Sequence, residues 1–355
     1  MRVLIVKTSA LGDIVQAFPV AEYLKSLRQV ETVGWVAEEP AIELLASHPC
    51  IDEVIPISSK AIKNKLPSFS ALHELRHQRR VIRQQSWDIV FDLQGNCKSA
   101  CVTFMARAKV KVGWGYKNAP EKIASVVLDY KVNPTRQLSM REQYLSIPRG
   151  YFHDEAPFIP QPLVLRLTQE MQERAFQEIG RWPKDRPIWI ISLGSRWKNK
   201  TCDADEMASV LSSLQKEKNI YFVFTAATTQ ELNEAGTCLR KLPHSLPGNV
   251  LYQIPLPVAQ HLIGSSARFI GVDSLMLHLA STTRTPTFSI FGPSSAHLYA
   301  PGHVGDIAHQ GICPYGTTFI KRCSNIRTCP TGSCIKQIKA KQLESSIRSW
   351  MGEER

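Results

Sequence analysis

Short apolar runs alternate along the chain with longer segments in which apolar residues recur every three or four positions. The short runs resemble strands buried on both faces of a sheet, and the longer segments have helical periodicity. In the first half, strands are predicted at residues 3–7, 32–37, 53–57, 88–93 and 109–114. Helices fit between them at 14–28, 40–47, 69–86 and 97–107. Such alternation predicts βαβ units that build a parallel sheet.

The second half repeats the alternation after a segment with three prolines, residues 151–165, which reads as a linker. Strands are predicted at 187–193, 219–224, 249–252, 267–272 and 286–291, and helices at 168–181, 203–217, 229–241, 257–264, 274–282 and 335–350. A chain of 355 residues fits two domains of ordinary size. We therefore expect two α/β domains, each contributing one edge of a shared cleft.

The loop after the first strand carries the first candidate for chemistry. T-S-A-L-G-D (8–13) lies between a strand and a helix, where doubly wound proteins place their ligand sites. Asp13 begins D-I-V-Q, which matches a capping box with an acidic N-cap residue and a glutamine three positions later. Helix cap and catalytic base are both open interpretations of Asp13, and they compete for the same oxygens.

A second strand–turn–helix unit, G-V-D-S-L-M-L-H (271–278), favours a phosphate, because the first amides of a helix point outwards there. Ser274 adds a hydroxyl donor, whereas Asp273 is expected to shape the loop as a cap. His278 lies one turn into the helix and can face either the ligand or the core.

Two further segments carry candidate donor-binding residues. G-S-R-W-K-N-K (194–200) offers Ser195 and Lys200, which could neutralise a diphosphate or belong to an exposed basic loop. Glu231 lies early in a predicted helix, where an acid either binds ribose hydroxyls or simply favours the helix start. Neither half contains G-x-G-x-x-G or G-x-x-x-x-G-K-[ST], which argues against a dinucleotide dehydrogenase and a P-loop NTPase.

The net charge of +12 attracts anionic partners such as phosphate, acidic sugars, acidic lipid or nucleic acid. Two basic stretches, residues 54–73 and 307–343, contain no acid, although solvated surface lysines are an alternative interpretation. No apolar run approaches the roughly 18 residues that a membrane span requires, and the N-terminus does not resemble a secretory signal. A cytoplasmic protein is expected.

Nine cysteines occur in the chain, and four of them cluster as Cys313, Cys323, Cys329 and Cys334. Their spacing lacks paired C-x2-C knuckles, so reduced thiols are favoured over a structural zinc site.

Six segments in order resemble the lipopolysaccharide heptosyltransferases of the heptosyltransferase I type, which are ADP-heptose enzymes of glycosyltransferase family 9. The matching segments are VLIVKTSALGDIVQAFP (3–19), WVAEE (35–39), DIVFDLQGNCKSA (88–100), GSRWKNK (194–200), GVDSLMLHLA (271–280) and FGPSS (291–295). They cover nearly the whole chain, and the Cys-rich loop fits as well. Leu275 stands where the family usually has glycine.

The resemblance implies a GT-B fold: two Rossmann-like doubly wound domains facing across a central cleft. It assigns residues 1–160 to an acceptor-binding domain, 161–334 to an ADP-sugar-binding domain and 335–355 to a helix packing back towards the first domain. It also implies an inverting enzyme that needs no metal or other cofactor. The enzyme would work at the inner face of the cytoplasmic membrane on Kdo-lipid A.

Carried over by position, the resemblance makes Asp13 the catalytic base. The donor-binding set is Ser195, Lys200, Glu231, Asp273, Ser274, Leu275 and His278. The acceptor-binding set is Ser9, Gly12, Lys60, Lys63, Lys98 and Arg141. The predicted reaction is transfer of heptose from ADP-heptose to a Kdo residue of the lipid A-linked inner core.

Two alternatives remain at this point. One is a GT-B glycosyltransferase that uses another sugar nucleotide. The other is a basic α/β protein that binds nucleic acid, which the charge alone favours; the basic stretches contain few of the aromatic residues on which bases stack.

Overall fold

The computed structural model describes residues 1–58, 69–243 and 248–352. The chain separates into two compact units, Met1–Gln161 and Pro162–Arg355. Each unit is built on one six-stranded sheet, and every strand pairing in both sheets is parallel.

The first sheet has the strand order β3-β2-β1-β4-β5-β6. Its strands are β1 Arg2–Val6, β2 Thr32–Glu38, β3 Glu53–Ile57, β4 Ser86–Asp92, β5 Arg107–Trp114 and β6 Tyr130–Val132. The chain runs outwards from β1 in both directions, which makes the sheet doubly wound and places the point of reversal between β1 and β4.

Helices cover both faces of the first sheet, as parallel strands require. They are α1 Leu11–Gln16, α2 Phe18–Ser26, α3 Ile42–Ala46, α4 Phe69–Ile82, α5 Cys97–Met105 and α6 Met140–Phe152, with short 3₁₀ turns at Glu39–Ala41 and Lys122–Val127. The central strands β1 and β4 are buried except at their first residues, where Arg2, Ser86 and Asp88 reach the solvent. A Cβ atom on Gly34 of β2 would come within 2.3 Å of the Trp87 ring, so only glycine allows that close packing.

The second sheet has the strand order β12-β11-β10-β7-β8-β9, the same reversal between its two central strands. Its strands are β7 Ile188–Ser192, β8 Tyr221–Ala226, β9 Gly248–Tyr252, β10 Arg268–Val272, β11 Thr287–Phe291 and β12 Ile307–Gln310. Its helices are α7 Gln169–Gly180, α8 Ala204–Lys218, α9 Thr229–Lys241, α10 Leu256–Gly264, α11 Leu275–Ala280, α12 Ala296–Tyr299, α13 Ser333–Lys336 and α14 Ala340–Trp350, with a 3₁₀ turn at Lys198–Lys200.

The terminal helix α14 packs on the second unit. That residues 335–355 also pack back towards the first domain stays a prediction. Its buried residues Leu343 and Ile347 belong to the apolar core of the second unit, and the Trp350 ring lies 5.8 Å from that of Trp189. Ion pairs to α8 flank this seam, with Arg348 bound to Glu217 at 2.7 Å. The strong amphipathic pattern of the helix is therefore satisfied within its own unit.

Several elements differ from the prediction. The predicted helix 14–28 begins earlier and divides at Ala17 into α1 and α2, and the last helix divides into α13 and α14. The structure adds β6, α6 and β12. Pro148 and Gly150 within α6 disguise its helical pattern, so that its C-terminal part was read as the beginning of a linker.

The segment that leaves α6 returns over α2. The Tyr23 hydroxyl donates to Asp154 at 2.8 Å, and the neighbouring Glu22 accepts the backbone N–H of Gln161. Burial raises the pKa of Glu22 to about 7 despite this hydrogen bond. Hydrogen bonds therefore join the last segment of the first unit to α2, near the N-terminus of the chain.

Replacement of Ile347 by alanine should destabilise the second unit by about 2–5 kcal/mol, because it leaves a cavity beneath a helix that is held by one apolar face. Chemical denaturation measures the change. Ser345→Ala, on the exposed face of the same helix, is the matched control and should change stability by less than about 0.5 kcal/mol. Equal effects would mean that α14 is not part of the cooperative core.

Candidate active site

Asp13 lies in the first turn of α1, not at its cap. The helix begins at Leu11 and its N-cap is Ala10, which makes no side-chain capping bond. The predicted capping box of Asp13 and Gln16 is therefore wrong. The extended segment ends at Ala10, which is the N-cap, so the helix begins before the D-I-V-Q pattern from which the cap was predicted. Asp13 is half-buried, and Gly12 precedes it in the same turn.

A polar cluster forms where β1, β2 and β4 end. The Lys98 ammonium contacts Glu38 at 3.0 Å and the Ser9 hydroxyl at 3.5 Å, and the Ser9 N–H donates to Gln94 at 3.3 Å. Lys98 and Ser9, both predicted acceptor residues, are thus brought together. Glu38 and Gln94 were missed, although both follow apolar strand residues, which is the signal that identified Asp13 and Ser274.

Asp92 shapes the loop that carries this cluster. Its buried carboxylate ends β4 and accepts hydrogen bonds from the Gln94 N–H, the Gly95 N–H and the Ser99 hydroxyl, each at 2.9 Å. Burial raises the pKa of Asp92, while these hydrogen bonds and the nearby charge of Lys7 oppose the rise. The carboxylate therefore fixes the turn between β4 and α5.

Lys7 follows β1 and is buried beneath the same edge. Its ammonium donates to the Ser9 carbonyl at 3.2 Å and lies 5.1 Å from the centre of the Tyr144 ring on α6. A buried cation therefore lies next to the loop of Asp13. Arg141, another predicted acceptor residue, is half-buried in the first turn of α6, whereas Lys60 and Lys63 lie outside the described residues.

In the second unit, Asp273 is the centre of a buried polar network at the end of β10. Its Oδ2 accepts the Lys200 ammonium and the Ser294 hydroxyl, and His278 Nε2 lies 3.5 Å from its Oδ1. Lys200, Asp273 and His278 are each less than 10 % exposed. Three loops therefore meet on one carboxylate.

This network corrects the expected role of Asp273. The N-cap of α11 is Ser274, and the Asp273 carboxylate forms an ion pair instead of capping the helix. Burial alone would raise the pKa of Asp273, but the hydrogen bond from His278 and the charge of Lys200 hold it well below the ordinary value. Asp273 is therefore ionised at neutral pH, and the charge of Lys200 is largely balanced inside the protein.

Ser274 and Leu275 begin α11. The Ser274 hydroxyl oxygen is buried and forms no hydrogen bond within the described part of the chain. Leu275 is the first helical residue, and His278 lies one turn later with its ring turned to Asp273, so the helix presents its histidine to the network and not to an apolar core.

Glu231 caps its own helix. One of its oxygens, Oε2, accepts the N–H groups of Ala227 and Thr228 at 2.7 and 3.3 Å, while the Thr228 hydroxyl accepts the N–H of Glu231. This capping box confirms the interpretation of Glu231 as a helix-start residue. The carboxyl group also packs on Gly194, where an added Cβ would approach the Glu231 Oε1 to 2.5 Å.

The basic loop after β7 is anchored, not freely exposed. Ser195 is half-buried beside Gly194, and Asn199 donates to the carbonyls of Ile326 and Cys329 at 3.0 and 2.9 Å. These bonds fix the 3₁₀ turn that presents Lys200 to Asp273. Neither Asn199 nor Ser294 was singled out in the sequence, because a polar residue inside a loop gives no local signal of a distant partner.

Each of the two units is doubly wound and has polar side chains at the carboxyl ends of its central strands, which is the architecture of the GT-B fold, and the expected fold class is confirmed. The model of Glycosyltransferase family 9 (heptosyltransferase) matches residues 75–325. The chain belongs to this family. It is an enzyme that transfers a sugar, and the predicted heptosyltransferase activity is confirmed.

Similar proteins span nearly the whole chain. A lipopolysaccharide heptosyltransferase 1 of Salmonella typhimurium is 29% identical over 334 residues, covering 86% of this chain and 91% of that protein. The structure of an Escherichia coli heptosyltransferase, WaaC with ADP, has a TM-score of 0.77 at 19% identity, covering 99% of this chain and 100% of the other. The same enzyme with ADP-2-deoxy-2-fluoro heptose gives a TM-score of 0.75 at 19% identity, covering 98% and 99%.

Removing one partner of the buried Lys200–Asp273 ion pair should lower the free energy of unfolding more than removing one partner of an exposed ion pair. Lys200→Met and Asp273→Asn should each destabilise the protein by about 3–5 kcal/mol, because each leaves a buried group without its partner, and the double variant should cost less than the sum. Lys241→Met, at the exposed pair with Asp205, is the control and should cost about 1 kcal/mol or less.

The same experiment has a pH signature. Since the pKa of Asp273 is lowered on folding, its ionised form stabilises the protein above about pH 4, and this contribution disappears as the pH falls further. The stability gap between wild type and Asp273→Asn should therefore narrow below that pH. A gap that is the same at every pH would contradict the assignment of charge to this pair.

Proposed function

We propose that the protein transfers heptose from ADP-heptose to a Kdo residue of the lipid A-linked lipopolysaccharide inner core, with inversion at the anomeric carbon. Family membership supports the sugar, and the solved relatives that hold ADP and an ADP-heptose analogue support the donor. The observation that carries the mechanism is the position of Asp13, in the first turn of α1 at the carboxyl end of β1 and not at the helix cap.

Asp13 is the proposed general base. Its carboxylate accepts the proton of an acceptor hydroxyl as that oxygen forms a bond to C1 of the heptose. The bond from C1 to the diphosphate breaks at the opposite face, and its electron pair leaves with ADP. Ser9, Gly12 and the Lys98–Glu38 pair lie at the same sheet edge and would position the acceptor.

The donor diphosphate is assigned to the second unit. Ser274 is the strongest candidate donor, because its buried hydroxyl makes no hydrogen bond among the described residues. Lys200 would act more weakly than a lone cation, since Asp273 already balances its charge. Lys200 holds the loop after β7 in place and shares its positive charge with the departing ADP. Preorganised donors of this kind stabilise the negative charge of a leaving group. Ser195, Leu275 and His278 complete the diphosphate turn.

Glu231 is the proposed ribose partner. The capping box occupies Oε2, whereas Oε1 lies against Gly194, at the end of β7, where a ribose hydroxyl could approach it. Structural and ligand-binding roles are thus divided between the two oxygens of one carboxylate.

The acceptor is assigned to the first unit through its cations. Kdo carries a carboxylate, which matches Lys98 and Arg141 in the described part of the chain, with Lys60 and Lys63 proposed to join them. Lys98 already has Glu38 as a counter-ion at 3.0 Å, so an acceptor carboxylate would have to share or displace that glutamate.

Asp13→Asn should lower kcat by about 100-fold or more while the affinity for ADP-heptose is kept, because the change removes the proton acceptor but preserves the shape. Single-turnover kinetics and calorimetric titration measure the two quantities. Asp185→Asn, at an exposed carboxylate paired with Arg186, is the control. Turnover near the wild-type level would remove Asp13 from the chemistry.

We also propose that the first unit rests on the anionic inner surface of the membrane that holds its acceptor. In the described residues no helix is long and apolar enough to cross a bilayer. Phe104, Ile123 and Val126 are each at least 65 % exposed, and they come from α5 and the neighbouring 3₁₀ turn, which contact each other. The Lys111 ammonium lies 5.6 Å from the Phe104 ring, so apolar and cationic groups share this surface.

Replacing Phe104, Ile123 and Val126 with serine should reduce binding to vesicles of phosphatidylglycerol at least severalfold, because the change removes the apolar contact and keeps the charge. Co-sedimentation measures the bound fraction, and neutral phosphatidylcholine vesicles should bind less of the wild-type protein. Phe176→Ser, at an exposed aromatic of the second unit, is the control. Unchanged binding of the triple variant would disprove this surface.

A further inference from the structure

The four cysteines of the Cys-rich segment converge on one place in the fold. Cys313, Cys323, Cys329 and Cys334 all line the same small pocket, although they are spread over 22 residues of chain. The remaining walls include the Phe319 ring and Ile326, so the pocket offers a metal or another soft ligand four sulfurs and mostly apolar surroundings.

Two of the cysteines occupy turns of the same kind. Cys313-Pro-Tyr-Gly and Cys329-Pro-Thr-Gly share the sequence C-P-x-G, and the glycines have positive φ values of 74° and 60°. Each turn directs backbone N–H groups at its sulfur: those of Tyr315 and Thr317 at Cys313, and those of Thr331 and Gly332 at Cys329. The Gly332 N–H lies 3.4 Å from the Cys329 sulfur. A sulfur that accepts two amide N–H groups is prepared for negative charge.

The other two thiols complete the set from different directions. Cys334 is buried at the start of α13. Cys323 is held by a hydrogen bond from its N–H to the Pro293 carbonyl at 2.7 Å. The four thiols therefore reach one pocket from separate turns of the segment.

We propose that these four cysteines bind one zinc or iron ion as a closed tetrathiolate site. A tetrahedral set of four sulfurs is the environment that selects these two metals. In the described residues no group of three His, Cys, Asp or Glu side chains is already placed to hold a metal ion, so binding would require the four thiol side chains to rotate towards one another. The metal forms four bonds to sulfur, and the thiols release their protons to solvent.

The site would be structural, because four thiolates leave no open position for a substrate. Its effect on the enzyme passes through the loops to which the segment is tied. Asn199 binds the carbonyls of Ile326 and Cys329 from the turn that ends in Lys200. Ser295 binds the Lys321 carbonyl at 2.8 Å, next to the Ser294 that contacts Asp273. The metal therefore stabilises both loops around the Asp273 network.

The test begins with metal content and does not depend on activity. Full-length protein expressed in medium with zinc and iron and purified without chelator should contain about one equivalent of zinc plus iron per chain by mass spectrometry of the elements. Cobalt(II) added to protein refolded without metal should give the intense sulfur-to-cobalt absorption of a thiolate site. Cys313→Ser with Cys329→Ser should abolish both signals.

Cys97→Ser with Cys101→Ser is the matched control, since these exposed cysteines lie in the first unit. It should keep the metal and the melting temperature, whereas the Cys313/Cys329 variant should melt lower and bind ADP more weakly. Fewer than about 0.1 equivalents of metal in the wild type, or metal kept by that variant, would overturn the proposal. A mass lower by 2 Da per cysteine pair in the non-reduced protein would show disulfides instead and overturn it equally.

Discussion

The second unit depends on one buried carboxylate. Asp273 follows the central strand β10, and its charge is held inside the protein by Lys200 from the loop after β7 and by Ser294 from the loop after β11. An ionised group without these partners would cost several kcal/mol to bury. The three loops therefore keep their positions together or lose them together, and these are the loops to which the donor is assigned.

The first unit also has a buried carboxylate at the end of a central strand, but its hydrogen-bond partners are different. Asp92 ends the central strand β4 and is just as buried, but it is satisfied by two backbone N–H groups and a serine hydroxyl instead of by a cation. Burial consequently raises its pKa, whereas the cations lower that of Asp273. One carboxylate thus shapes a loop through neutral donors, and the other assembles a charged network. In both units the buried carboxylate follows one of the two central strands between which the strand order reverses.

Sequence patterns predicted much of this architecture, because parallel strands buried on both faces leave continuous apolar runs that cannot be mistaken for surface. The elements that were missed are those without such runs: the three-residue strand β6, the exposed edge strand β12, and α6, whose capping residues Ser139 and Glu142 were a usable signal that Pro148 concealed.

The candidate site was predictable only in part. Asp13, Lys200 and Ser274 were found because they follow predicted strands, whereas Lys98 came only from the family resemblance. The D-I-V-Q pattern predicted Asp13 as the N-cap, but the N-cap is Ala10, because the extended backbone ends there and the helix begins at Leu11. Glu38 and Ser294 belong to the site because they contact Lys98 and Asp273, which lie 60 and 21 residues away in the sequence. No local sequence pattern indicates such distant contacts.

Glu22 gives the join between the two units a property of its own. Its carboxyl group bonds to Gln161, the last residue of the first unit, and has a pKa of about 7. Because that pKa lies above the usual value, folding takes up a proton here between about pH 4.5 and 7, and the folded first unit is favoured less as the pH rises through this range. Burial of the charge is what disfavours the ionised form here, whereas the hydrogen bond from Gln161 favours the carboxylate and reduces that cost.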